Sequence, residues 1–243
     1  MSQDQIFTEP RDHLVDFAFD DTVAEVFPDM IRRSVPGYEF VIPMSGLLAA
    51  RHASGQSDPL IYDLGCSLGA TSMATLRAWD GLQQEARLKI EAVDSSEAML
   101  TKARNLISDE RIIFVQADIT EYPLQSCAAI LLNYVLQFVD PGARLNLLRR
   151  LREATGRDGA LLVSEKVRFK DPELDAFNTS AHLDFKRANG YSELEISQKR
   201  SALENVMVID TIEEHLDRFE TAGFGNTRIW YQCLNWVSFL ARP

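Results

Sequence analysis

The sequence predicts an α/β fold: a seven-stranded, mostly parallel sheet with helices on both faces, an N-terminal helical cap and a helical insertion. Three observations carry that expectation. From Pro59 onward, short apolar runs alternate with helical stretches; a glycine loop from Gly65 to Gly69 joins the first run to a helix; and polar residues recur at the ends of successive runs. The chain of 243 residues reads as one domain, with an arm and cap at 1–57, a core at 58–170, a helical insertion at 171–208, and a closing helix and hairpin at 209–243.

Residues 1–18 are polar and mixed, an expected arm or lid. Asp20 and Asp21 precede Val23, Val26, Phe27, Met30 and Ile31, whose spacing makes one apolar helix face with acids at its positive end. Pro36-Gly37 breaks that helix, and a second runs from about Tyr38 to Arg51. Leu60–Leu64 is a buried strand ending in the glycine loop, and Ala70–Trp79 is a helix. Leu88–Asp94 is a strand ending in an acid, and Ser96–Ile107 a helix that Ser96 can cap. Ile112–Val115 is a strand followed by Asp118, and Ala128–Asn133 an apolar run ending in a polar side chain. Pro141–Ala154 is a helix and Gly159–Ser164 a strand. After the insertion come a helix at 211–222 and two β-type runs, Thr227–Cys233 and Asn235–Ala241, that form a terminal hairpin.

The net charge of −11 and the absence of a basic stripe disfavour direct nucleic-acid binding and favour a small-molecule substrate. Three separated cysteines, Cys66, Cys127 and Cys233, form no C-x-x-C pair, so neither a disulfide framework nor a zinc site is expected. The four histidines are scattered, and no metal is expected. The same cysteine pattern makes a reducing cytoplasm the expected location; the N-terminus shows no signal-peptide pattern, and no run is long enough to span a membrane.

Ligands of open parallel sheets bind at the carboxyl ends of the strands. The Gly65–Gly69 loop lets backbone approach a ligand, and the helix it opens favours an anionic group. Its G-x-x-x-G spacing is not the dinucleotide fingerprint, and no Walker lysine follows. By itself it is also compatible with an ordinary tight turn. Asp94 can accept from both ribose hydroxyls or be a helix-start acid; Asp118 can accept from an adenine amino group or be a turn residue. Asn133 can hold the amino-acid part of a ligand or act as a cap. Asn133-Tyr134 lacks the prolines of the N-P-P-Y motif, so methylation of adenine or glutamine is not read from it. Cys66 has no nearby histidine and reads as packing rather than a nucleophile. Together, acids and glycines at successive strand ends resemble the Rossmann-like class I methyltransferase fold, which implies S-adenosylmethionine as ligand.

In the insertion, Ser192 and Glu195 have capping-box spacing. Glu195–Lys199 and Arg200–Glu204 have i,i+4 spacing, the pattern of a salt-bridged helix surface. Yet Lys186, Arg187, Lys199 and Arg200 also concentrate positive charge in an acidic chain, as an anionic substrate would require.

Longer stretches resemble one family. Val23–Ile31, Arg33–Tyr38, Tyr62–Ala70, Ser164-Glu165-Lys166 and above all Asp184–Met207 are similar to the carboxy-S-adenosyl-L-methionine synthases. The resemblance implies conversion of S-adenosylmethionine and prephenate to carboxy-S-adenosylmethionine and phenylpyruvate. It implies a homodimer whose product goes to a separate transferase acting on tRNA wobble uridine, so that this chain need not touch tRNA. It also implies that Tyr38, Gly65, Cys66, Ser67, Asp94, Ser95, Asp118, Ile119 and Asn133 hold the cofactor. Arg200 would pair with the new carboxylate, in its own site or reaching in from the partner subunit. The chain has Ser95 where the family pattern has asparagine, and Ala181-His182-Leu183 where it has a His-His pair before Asp. The implied chemistry is loss of a methyl proton to the hydroxide leaving prephenate, and capture of the released carbon dioxide by the resulting ylide. It needs positioning more than a general base. A conventional methyltransferase and a non-catalytic ligand sensor are the alternatives.

Overall fold

The computed structural model describes residues 3–9, 17–204 and 206–243, and all but the side chain of Glu204 within them. Its elements follow the predicted order: α1 (Asp21–Ser34), α2 (Tyr38–Ala53), β1 (Leu60–Leu64), α3 (Ala70–Gly81), β2 (Lys89–Asp94), α4 (Glu97–Leu106), β3 (Ile112–Gln116), β4 (Cys127–Asn133), α5 (Pro141–Ala154) and β5 (Thr155–Arg168). Then come α6 (Pro172–Ala188), α7 (Glu193–Glu204), β6 (Asp210–Thr211), α8 (Ile212–Thr221), β7 (Asn226–Cys233) and β8 (Trp236–Arg242).

Seven strands lie in the order β3-β2-β1-β4-β5-β8-β7. The expected count of seven needs one addition, because two-residue β6 pairs with the end of β5 as an eighth strand. Pairings among β1 to β5 are parallel, whereas β8 runs antiparallel to both β5 and β7. The order reverses beside β1, so a crevice opens there at the carboxyl ends of β1 and β4.

Side-chain alternation divides the strands between two cores. Ile61, Ile90, Leu131 and Leu162 pack under Ala49, Leu76, Trp79 and Leu100 from α2, α3 and α4. Tyr62, Leu64, Leu132 and Val163 face the other way, against Leu147, Leu148, Leu151 and Phe219 from α5 and α8. Being buried on both faces, β1 and β4 carry near-continuous apolar runs. Gly46 sits where α2 crosses α3: an added Cβ would lie 2.6 Å from the Thr75 backbone nitrogen.

Over the glycine loop, Val23, Val26 and Met30 of α1 pack with Leu68 and Met99. Of the expected arm, residues 1, 2 and 10–16 lie outside the described residues. Residues 3–9 bridge α1 and α7: the Asp4 N–H donates to Asp29 Oδ2 at 2.9 Å, and Gln198 Nε2 donates to the Phe7 and Glu9 carbonyls, each at 2.9 Å. Among the described residues no helix is long and apolar enough to cross a membrane.

Candidate functional site

Parity decides which polar residues reach the crevice. Asp63, Asp94, Asn133 and Lys166 share the strand face of Ile61, Ala92, Leu131 and Leu162, so they point toward the α2–α4 side. There a cavity of about 720 Å³ opens, within the usual size of a small-molecule site.

The loop after β1 forms one wall. Gly65, Ser67 and Gly69 all have positive φ, at 72°, 51° and 77°. The Gly65 and Cys66 N–H groups donate to the Val93 carbonyl at 2.8 and 3.1 Å, which ties the turn to β2. The Ser67 N–H donates to Asp94 Oδ2 at 2.8 Å, and the Ser96 N–H to Asp94 Oδ1 at 2.9 Å. One carboxylate thus fixes the loop and the entry to α4. Burial pushes the Asp94 carboxyl above the ordinary carboxylate value, against the pull of its N–H donors. A Cβ on Gly65 would run into the Val135 methyl groups. Gly65→Ala is therefore expected to cost about 1–2 kcal/mol of stability, from φ strain and this clash, and to weaken ligand binding at least tenfold. Denaturant melts and calorimetry check both parts. Adding Val135→Ala should relieve the clash and leave the φ strain.

Tyr38, Cys66, Ser95, Asp118, Ile119 and Asn133 join Gly65, Ser67 and Asp94 along this cavity, so nine of the ten expected cofactor residues come together. Asp118 is also a turn former, since its Oδ1 accepts from the Thr120 N–H at 2.8 Å and hydroxyl at 2.7 Å. Asn133 sits 3.5 Å from both Ser45 Oγ and Thr71 Oγ1. Burial holds the Cys66 thiol well above its ordinary value, with Asp63 and Asp94 adding repulsion, so the residue packs as a neutral thiol. Arg200 is the exception. It lies exposed on α7 and outside the cavity lining of its own chain.

Two residues outside the expected set are prominent. Asp63 is 2% exposed, accepts from the Ser72 hydroxyl at 2.6 Å, and is pushed up to about 6 by burial. Its signal was an acid inside an otherwise apolar strand. Lys166 belongs to the Ser164-Glu165-Lys166 stretch and lines the cavity. Only the strand's parity reveals that.

The cations of the insertion separate. Lys186 and Lys199 line the cavity with Lys166 and His182. Arg187 is instead a solvated residue paired with Asp184 and Glu193. The expected Glu195–Lys199 pair gives way to two other sets of contacts. Glu195 completes the capping box: its carboxylate accepts from the Ser192 N–H at 2.8 Å, and the Glu195 N–H donates to the Ser192 hydroxyl at 3.3 Å. Lys199 turns inward to Ser34 Oγ at 3.0 Å and Asp4 Oδ2 at 3.6 Å. The Arg200–Glu204 pair lies outside the described residues. His182 Nε2 lies 2.8 Å from the Ser34 carbonyl, so it carries the proton and donates, and burial pulls the imidazole down to about 3. His182 is therefore neutral, a donor rather than a cation.

The strand order sets the spacing of these charges. Asp94 ends β2, the loop ends β1, Asn133 ends β4 and Lys166 lies near the end of β5. Three strand spacings, roughly 14 Å, separate the acidic side from the lysine side. Tyr38 and Tyr134 stand between, their centroids 6.1 Å apart, and Trp236 lies 5.4 Å beyond Tyr134.

The profile of a methyltransferase-domain family matches residues 61–159. The carboxy-S-adenosyl-L-methionine synthase of Aeromonas salmonicida is 47% identical over 244 residues, covering 99% of this chain and 96% of that protein. The protein of the same name from Pseudomonas aeruginosa is 44% identical over 250 residues, covering 99% and 98%. Human N-acetylserotonin methyltransferase in complex with S-adenosylmethionine superposes with a TM-score of 0.62 at 19% identity, a likeness of fold alone. It covers 91% of this chain, which spans 55% of that structure's length.

Proposed function

This chain belongs to the carboxy-S-adenosyl-L-methionine synthases, and from that premise we propose that it carboxylates the methyl group of S-adenosylmethionine with prephenate as the carboxyl donor. The observation that carries this reading is one cavity with acceptors along one side and ammonium groups along the other. A conventional methyltransferase needs only the first.

The residues fit the adenosyl ligand by their donor and acceptor character. Asp94 would take the ribose hydroxyls, since each of its oxygens spends one lone pair on a backbone N–H and keeps another. Asp118 and Ile119 would frame the adenine, and Ser95 would add a hydroxyl there in place of the family's asparagine. Asn133 would orient the methionyl end of the ligand, while Asp63, buried beneath the loop and bonded to the Ser72 hydroxyl, would act on the ligand's ammonium only through its charge. The rings of Tyr38 and Tyr134 offer their faces to the sulfonium cation. A bound sulfonium acidifies its methyl group.

The protein's own part is then to position and to exclude water. Prephenate would give its ring carboxyl as carbon dioxide and its hydroxyl as hydroxide; the hydroxide would take the methyl proton, leaving phenylpyruvate and water. Charge balances without a side-chain base, in agreement with a neutral His182 and a protonated Cys66. Arg200 would meet the new carboxylate from the partner subunit of a homodimer, given its exposure on α7. The product would pass to a separate tRNA-modifying transferase.

The test is mass spectrometry of the nucleoside formed from S-adenosylmethionine and prephenate labelled in its ring carboxyl. A labelled product heavier by one carboxyl group is the expected result. An unlabelled product, or transfer of an intact methyl group, would overturn the reading.

A further inference from the structure

The lysine side of the cavity has more positive charge than the fold neutralises. Three lysines line it: Lys166 from β5, Lys186 from α6 and Lys199 from α7. Lys199 has its own anion, for Asp4 Oδ2 lies 3.6 Å away and both side chains are buried. Tyr191 locks that anion in place, donating its hydroxyl to the same Asp4 oxygen at 2.6 Å. Among the described residues, neither the Lys166 nor the Lys186 ammonium has a hydrogen bond or ion pair. Both side chains are half-buried, where an ammonium without a partner is unfavourable, and two in one wall repel each other. Lys166 and Lys186 are thus left, among the described residues, without a paired anion: Asp175 acts on Lys166 only through its field, and Glu39, which also lines the cavity, forms an ion pair with neither. A ligand carrying two carboxylates would give each lysine a partner and hold both in the charged form.

We propose that Lys166 and Lys186 form a two-point clamp for a dicarboxylate, each ammonium taking one carboxylate, while Lys199 is tied off by Asp4 and holds residues 3–9 against α7. The assignment rests on the proposed carboxylation of S-adenosylmethionine, and it makes this pair the determinant of which carboxyl donor is accepted. It also gives a reason for product release. Phenylpyruvate has one carboxylate and can satisfy only one of the two ammonium groups.

The electrostatics agree with an open clamp. Burial, with Lys199, Lys166 and Arg200 adding repulsion, pulls Lys186 down to about 7. Lys166 is lowered by burial and Arg200, with Asp175 opposing. His182, which lines the same wall, is neutral, and Glu39 of α2 also lines the cavity. A carboxylate arriving at Lys186 stabilises its charged form. Binding above pH 7 should therefore take up a proton, and affinity should fall as pH rises.

The test uses two measurements on the full chain. The first is calorimetric binding of prephenate to protein saturated with S-adenosylhomocysteine, which cannot react. Lys186→Gln and Lys166→Met should each weaken prephenate binding by about 10- to 100-fold, and leave S-adenosylhomocysteine affinity within about twofold. Lys186→Arg should recover most of the loss and abolish the proton uptake expected at pH 8. The second is the KM for prephenate in formation of carboxy-S-adenosylmethionine, which should rise in parallel. Unchanged prephenate affinity in either neutral variant would overturn the clamp. So would an equal loss of S-adenosylhomocysteine affinity, or a wild-type protein that does not bind prephenate. If the wild type binds prephenate through these lysines but forms no carboxylated product, the clamp stands and the proposed reaction fails.

Discussion

Asp94→Ala is expected to weaken S-adenosylmethionine binding by about 100- to 1,000-fold, equivalent to roughly 3–4 kcal/mol. The carboxylate holds both sides of the ligand cradle. It accepts from the Ser67 N–H at 2.8 Å and the Ser96 N–H at 2.9 Å, so its loss frees the glycine loop and the start of α4 together. Ser96 is itself the N-cap of α4, accepting from the Met99 N–H at 3.1 Å, and its hydroxyl donates to the Phe19 carbonyl at 2.5 Å. On the proposed reading, the acceptors for the ribose hydroxyls are lost at the same time. Asp94→Asn keeps the shape and one acceptor oxygen but turns an NH2 toward a backbone donor, so it should fall between wild type and alanine. Burial raises the Asp94 carboxyl above its ordinary value. Protonation removes acceptor capacity, so ligand affinity should decline as pH falls into the acid range, and the decline should vanish in Asp94→Ala. Calorimetric titration of the three proteins against pH measures this. Equal affinities for wild type and Asp94→Ala would remove Asp94 from the ligand site.

Glu165→Ala is expected to destabilise the fold by about 3–5 kcal/mol and lower Tm by on the order of 10 °C. Glu165 is fully buried and serves three donors: the Val135 and Leu136 N–H groups reach Oε1 at 2.9 and 2.8 Å, and the Gln137 N–H reaches Oε2 at 3.0 Å. These are the orphan amides of a short 3-10 turn, Leu136–Phe138, too short to show a periodicity in the sequence. Burial pushes the carboxyl up to about 8 although all three donors favour the anion. Alanine leaves three buried N–H groups unpaired. Glu165→Gln retains the acceptor for two of them and should cost about half as much. The effect should reach the site as well, because Val135 packs against Gly65, and Phe138 and Val139 line the cavity. Thermal melts with and without S-adenosylmethionine separate the two consequences. A melting temperature within 2 °C of wild type would refute the capping role.

These two acids differ in how far the sequence exposed them. Asp94 stands where an apolar run ends and a Ser-capped helix begins, a local pattern set by β-strand and helix-cap chemistry. Glu165 follows an apolar run too, but its partners are 28 to 30 residues earlier in the chain. Nothing local identifies them.

The same division holds for the whole molecule. Hydrophobic periodicity, Pro36-Gly37 and the caps at Asp20, Ser96 and Ser192 act within a few residues, so the sequence by itself determined the order of helices and strands. It also placed the glycine loop, Asp94, Asp118 and Asn133 at strand ends. Tertiary structure alone decided which charges share a cavity. Lys199 and Arg200 are neighbours in the chain, yet Lys199 is buried against Asp4 and Arg200 faces outward, because adjacent helical positions point about 100° apart. Lys166 of β5 and Lys186 of α6 are 20 residues apart in the chain, yet they line the same cavity. Long-range packing brings those charges together, and no sequence spacing encodes it.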